Sequence, residues 1–167
     1  IITRGVFIDV AGAKGQVPLP SGYAIGPDEL RSVLAKQGVD VQPGDAVFIR
    51  TGLLSLWGEA GHDKAKLAPH DSAGITLEAA KWLVEEKGAV LIGSDTSGLE
   101  CVGACWKPGQ FYPAHMYLLI EQGVYIGEFH NLEELAKDKV YEFLYMVSTN
   151  KISGTTAGFT LRPVAIK

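Results

Sequence analysis

The sequence predicts a single α/β domain. Short β-branched and aromatic runs alternate with segments of helical period, the order that generates a sheet with flanking helices. Its 167 residues, 47% apolar and 20% charged, lie in the range of one globular unit and far from the composition of disorder. Three glycine-rich segments, 11–26, 52–74 and 93–112, break the alternation and are long enough to carry function.

The first predicted strand is "GVFIDV", residues 5 to 10, and the next is "AVFIR", residues 46 to 50; both are apolar runs bounded by Gly or Pro. Between them "GPDELRSVLAKQGV" predicts a helix. Pro27 suits its first turn, Asp28 and Glu29 favour the positive end of the helix dipole, and Gly38 stands where a terminating glycine belongs. In "TLEAAKWLVEEKG" the residues Leu77, Ala80, Trp82 and Leu83 gather on one helical face, and the strand "AVLIG" follows Gly88. A short helix over 115–122, stopped by Gly123, leads into a strand over 124–127. "VYEFLYMVS" alternates as a sheet strand does, and "RPVAI" closes the chain.

Several function classes are excluded at this level. Fifteen Lys and Arg against nineteen Asp and Glu give a net charge of −4, with no basic run to follow a phosphate backbone, so no nucleic-acid partner is expected. No apolar run reaches the roughly 20 residues of a membrane span, and "IITRGVFIDV" lacks the pattern of a signal peptide. No membrane partner and a cytoplasmic location are expected. Cys101 and Cys105 are too few for a disulfide scaffold, and reduced, semi-buried thiols are expected. The chain opens on Ile-Ile in an apparent core strand, so the domain over 1–167 is expected to be incomplete at its amino end. Nucleophile-elbow, Walker A and Rossmann glycine patterns are missing, which argues against serine hydrolase, nucleotidase and dehydrogenase chemistry.

Two ionisable groups bracket the stretch "PAHMYLLIEQGVYIGEF". His115 opens it and Glu128 stands near its end, on elements joined by one tight turn. An imidazole and a carboxylate so placed can converge on a divalent metal, or simply meet solvent or each other. Two donors fall short of the three protein ligands of a usual catalytic zinc. His62, His70 and His130 could add ligands, but no pair has the i, i+4 spacing of a helical metal site, and loop or capping roles are as consistent. "IGSDTSG", residues 92 to 98, delivers Asp95 and Thr96 to the carboxyl end of a strand, where α/β proteins place ligands; a self-capping turn explains the same residues. Arg50 ends its strand with either a structural ion pair or a place in the site.

Taken in order, "RGVFIDV", "PGDAVFIRTG", "LIGSDTSGLE", "PAHMYLLIEQGVYIGE" with "NLEELA", "YEFLYMV" and "RPVAIK" resemble the cyclase family of metal-dependent hydrolases, which includes bacterial kynurenine formamidase and isatin hydrolase. The resemblance runs from Arg4 to the end, and the longer-sequence branch with "GE" before "NLEELA" looks closest. It implies a swivelling β/β/α domain, a mixed sheet with flanking helices, and one or two divalent metals, zinc or manganese, that activate water. The family's amino-terminal signature, HxGTHxDxPxH, is absent, so the chain is expected to begin after it, with the remaining ligands outside this chain. His115 and Glu128 match the family's downstream metal-site pair, as ligands or as acid–base groups. Asp95, Thr96 and Arg50 are expected on the substrate side or behind the ligands, Asp95 as the carboxylate that fixes an imidazole tautomer. Where relatives carry a "GGxGSP"-like segment this chain reads "SGTTAGF", residues 153 to 159, which departs from the family's substrate-side pattern.

The resemblance thus implies hydrolysis of a small amide, an aryl formamide such as the N-formylkynurenine of tryptophan catabolism or a cyclic amide such as isatin, in a homo-oligomer. The competing expectation is a non-catalytic binding or oligomerisation module that has lost the amino-terminal ligands.

Overall fold

The computed structural model describes residues 1–58, 64–67, 73–102, 105–154, 158 and 160–167. In chain order the elements are β1 (Ile2–Asp9), α1 (Val10–Lys14), β2 (Ala24–Ile25), α2 (Pro27–Gln37), β3 (Ala46–Arg50), a 3₁₀ turn (Leu53–Trp57), α3 (Lys64–Leu67), β4 (Gly74–Ile75) and α4 (Leu77–Lys81). They continue with β5 (Leu91–Ser94), α5 (Pro113–His115), β6 (Tyr125–Gly127), α6 (Glu133–Asp138), β7 (Glu142–Met146) and β8 (Val164–Ile166).

Six strands form one mixed sheet in the order β6-β5-β3-β1-β7-β8, flanked by helices as expected. The first four are parallel to one another, and β7 and β8 return antiparallel. Side chains alternate across the pleat, so Val6, Ile8, Val47, Ile49 and Ile92 meet the helices α2, α4 and α5 on one face. Phe7, Phe48, Leu91, Phe143 and Tyr145 form a smaller core on the other, against which Leu135 and Ala136 of α6 pack. Parallel strands buried on both faces read as unbroken apolar runs, which is why β3 was legible from sequence. The expected strand at residue 5 starts earlier, at Ile2, because Ile2, Thr3 and Arg4 pair with Met146, Tyr145 and Leu144 of β7.

α2 matches its sequence signals, with Pro27 in the first turn and Gly38 ending it in the left-handed region at φ 71°. The two later helices differ from expectation. Each begins as a short α-helical turn and widens into π-helical turns, over Trp82–Glu86 after α4 and over Met116–Gln122 after α5. The glycine-rich segments are also more ordered than their composition suggests: they hold α1, the 3₁₀ turn, α3 and the two-stranded parallel ribbon of β2 and β4. Cys101 and Cys105 correct the expectation of free thiols. The loop brings their Cα atoms to 5.9 Å, within disulfide reach, and they are bonded. Among the described residues no helix is long and apolar enough to cross a membrane.

The parallel arrangement brings the ends of β1, β3, β5 and β6 to one edge of the sheet, with Asp9 beside Arg50 and Gly93 beside Gly127. At the opposite edge Arg4 pins the start of β1, donating to both carboxylate oxygens of Asp45, at 3.1 and 2.7 Å, and to Glu142 at 2.7 Å. Gly5 sits beneath the Phe143 ring, where an added Cβ would lie 2.6 Å from Phe143 Cζ. Gly5→Ala is therefore expected to destabilise the domain by about 1–3 kcal/mol through overpacking, read as a lower urea midpoint at unchanged slope.

Candidate functional site

At the carboxyl edge of the sheet, Arg50 ends β3 nearly buried. Its Nε and Nη2 donate to the two oxygens of Glu133, both at 2.8 Å, and Nη1 donates to Asp9 Oδ1 at 2.9 Å. Burial works against the charge, but the two carboxylates more than offset it and raise the pKa further. Arg50 thus clamps α6 and the end of β1 to β3, and has the structural role that was one of its two expected alternatives.

Asp95 follows β5 and is 0% exposed. It accepts from the backbone N–H of Thr51 (2.8 Å), the Thr51 hydroxyl (2.8 Å) and the backbone N–H of Gly52 (2.7 Å). Burial raises its pKa against the opposing pull of those donors. Thr96 is equally enclosed, sharing a hydrogen bond with Ser94 Oγ at 2.8 Å and accepting from the Leu99 N–H at 3.2 Å. Both side chains cap backbone, and among the described residues neither makes a hydrogen bond to an imidazole.

The imidazole of His115 finds its carboxylates elsewhere. His115 closes α5, which Pro113 opens after Tyr112 in a left-handed conformation. Nδ1 lies 2.7 Å from Glu100 Oε1, and Nε2 lies 3.4 Å from Glu128 Oε1. Glu128, directly after β6, keeps 41% of its side chain exposed and His115 keeps 21%, so this side opens to solvent. Glu100 is 1% exposed and also accepts the backbone N–H groups of Ala114 (3.2 Å) and His115 (3.0 Å). The structure therefore joins His115 and Glu128 as expected and adds Glu100, which sequence reasoning missed. A carboxylate at the end of "GSDTSGLE" reads as a loop residue. Its burial follows from a pairing of Glu100 with Ile75 of β4 that no local spacing reveals.

Backbone conformation marks the same place. Among the described residues four non-glycine positions have φ in the left-handed region, and three of them flank the site: Leu99 (56°) before Glu100, Tyr112 (48°) before α5, and Phe129 (52°) after Glu128. Beside the imidazole stands Tyr112, at 5.3 Å between ring centroids, and Trp106 packs on Tyr112 at 4.8 Å.

His130 lies apart from this cluster. Its Nε2 is 3.1 Å from the Tyr145 hydroxyl, its ring packs 4.9 Å from Phe48, and Gly127 leaves it room, since an added Cβ there would sit 2.6 Å from His130 Cε1. His62, His70 and most of "SGTTAGF" lie outside the described residues. Among the described residues no group of three or more His, Cys, Asp or Glu side chains is arranged to hold a metal ion.

The two described histidines titrate in opposite senses. Burial pulls His115 down, but hydrogen bonding and attraction from Glu100 and Glu128 outweigh it and hold the imidazole up at about 9. Burial pushes His130 down to about 4. His115 binds its proton more tightly folded than unfolded, so its stabilisation is complete below pH 6.5, the ordinary value, and is lost as pH rises through 9. His130 refuses a proton that the unfolded chain accepts, so stability falls as pH drops from 6.5 towards 4. Melting temperature against pH is expected to decline on both sides, with His115→Gln flattening only the alkaline limb. A second expectation concerns the clamp: Arg50→Met should cost about 3 kcal/mol in chemical denaturation, because it leaves two carboxylates without their buried partner.

Residues 1–101 match the family described as "Putative cyclase". Among solved structures, one described as a novel cyclase is 35% identical with a TM-score of 0.81, over 100% of this chain and 54% of that one. Isatin hydrolase A from Labrenzia aggregata, bound to benzyl benzoate, is 23% identical with a TM-score of 0.72, over 99% of this chain and 61% of that one. Isatin hydrolase A from Ralstonia solanacearum is 22% identical with a TM-score of 0.74, over 99% and 60%. The chain thus spans little more than half the length of these structures. None of the curated proteins matches it in sequence. The family match over residues 1–101, more than half of the chain, shows that it belongs to the cyclase family.

Proposed function

We propose that the chain is part of a metal-dependent hydrolase of small amides, with an aryl formamide or a cyclic amide such as isatin as substrate. The observation that carries this reading is the pairing of His115 Nε2 with the Glu128 carboxylate, 3.4 Å apart on the solvent side of the sheet's carboxyl edge. Two structural relatives are described as a potential and a predicted metal-dependent hydrolase, at 20% and 21% identity.

The donor set fits a divalent metal in part. Imidazole nitrogen and carboxylate oxygen suit zinc or manganese, and His115 has its second nitrogen held by a carboxylate, as metal-bound histidines do. His115 Nε2 and Glu128 would supply two ligands, with the others coming from outside the described residues. When bound, such a metal lowers the pKa of its water and polarises the substrate carbonyl. In the alternative arrangement, where the pair acts beside the metal without binding it, Glu128 is exposed enough to take a proton from an incoming water, and His115 would hold a proton at Nε2 for a departing amine. Tyr112 stands beside the imidazole, backed by Trp106, and would offer an aromatic wall to a planar substrate. No protein nucleophile is needed, which agrees with the missing nucleophile-elbow motif in the sequence.

The test is hydrolysis of N-formylkynurenine and of isatin with added zinc or manganese. Turnover is expected, and His115→Ala is expected to lower it by about 10²–10⁴-fold. Equal turnover in His115→Ala would refute the assignment. A folded chain that neither retains metal nor turns over either amide would instead favour the binding-module reading.

A further inference from the structure

We propose that Glu100 is the positioning residue of this site: its buried carboxylate fixes His115 in the tautomer that carries hydrogen on Nδ1 and turns the Nε2 lone pair towards Glu128. The inference rests on the reading of His115 and Glu128 as the working pair and names what orients it.

The argument is one of donors and acceptors. Glu100 Oε2 accepts from the Ala114 N–H at 3.2 Å, and Oε1 accepts from the His115 N–H at 3.0 Å and faces Nδ1 at 2.7 Å. An ionised carboxylate only accepts, so the hydrogen on the short line to Nδ1 belongs to the imidazole. A neutral ring with hydrogen on Nδ1 has its lone pair on Nε2, where Glu128 presents a second acceptor 3.4 Å away. Two acceptors face to face need a cation or a shared proton between them. That is the arrangement a metal ligand or an acid–base pair requires.

Glu100 is delivered to this position by the backbone. Ile75 N–H donates to Leu99 O at 3.1 Å, and Cys101 N–H donates to Ile75 O at 3.0 Å, so Glu100 is held against β4 from both sides. The approach is so close that a Cβ at Gly74 would fall 2.6 Å from the Cys101 nitrogen. Leu99, fully buried, takes a left-handed conformation to make the turn, and the Thr96 hydroxyl accepts its N–H.

Long-range ¹H–¹⁵N correlation spectra of the full chain, at alkaline pH where the ring is neutral, report the tautomer directly. The Nδ1–H form is expected for wild type. Glu100→Gln is expected to shift the ring to the Nε2–H form, because the glutamine amide can donate to Nδ1. Glu134→Gln, an exposed change on α6, should keep the wild-type pattern. Zinc affinity by calorimetry should fall about 10–100-fold in Glu100→Gln. An Nε2–H ring in wild type overturns the proposal, and so does an unchanged Nδ1–H ring in a folded Glu100→Gln. The wild-type spectrum decides even if that variant does not fold. An Nδ1–H ring in a chain that neither binds zinc nor hydrolyses an amide would uphold the positioning role of Glu100 and refute the function proposed above.

Discussion

The buried carboxylate of Asp95 joins the ends of the two central parallel strands, and the site depends on that junction. By accepting three hydrogen bonds from Thr51 and Gly52, it fixes the exit of β3 relative to the exit of β5. Each such donor, if orphaned in the interior, costs about 1–3 kcal/mol, so the strand ends have little freedom to separate. From this anchor the chain runs through Thr96, whose hydroxyl holds the Leu99 N–H, to Glu100 and its contact with His115. A side chain that caps strand ends thereby sets where the His115 imidazole can stand.

Strain is concentrated along the same path. A non-glycine residue in the left-handed region costs on the order of 1–3 kcal/mol and persists only where its surroundings enforce it. Leu99 is enforced by complete burial and by the backbone of β4, and Tyr112 by its packing on Trp106 and His115. Phe129 is enforced by its N–H to Thr96 O at 3.0 Å. These contacts maintain conformations that present three side chains to one another.

The sheet was legible in the sequence because its signals are local. "AVFIR" is a strand by composition, and α2 carries both of its boundary residues. The pairing of His115 with Glu128 was legible for a related reason: a short helix, a glycine turn and a strand can be folded in the mind without knowing the rest of the chain. Glu100 was not, since its partner strand β4 has two residues and no period, and lies 25 positions earlier. The widening of α4 and α5 into π-helical turns likewise left no trace in the apolar pattern, because both forms bury the same face over one or two turns. For Asp95 the two readings of "GSDTSG" differ only in what lies opposite, and what lies opposite is the backbone of Thr51 and Gly52.

β6 is three residues long and, among the described residues, stands at the margin of the sheet with β5 as its sole partner strand, and Glu128 hangs from its end. Glu100 is wedged in the interior by backbone contacts on either side. The imidazole is therefore gripped like a workpiece in a vice, with one fixed jaw and one that can travel. Marginal strands open locally at lower free energy than central ones. Local opening at this margin would displace Glu128 before it reached Glu100, so the fixed jaw keeps the imidazole in register.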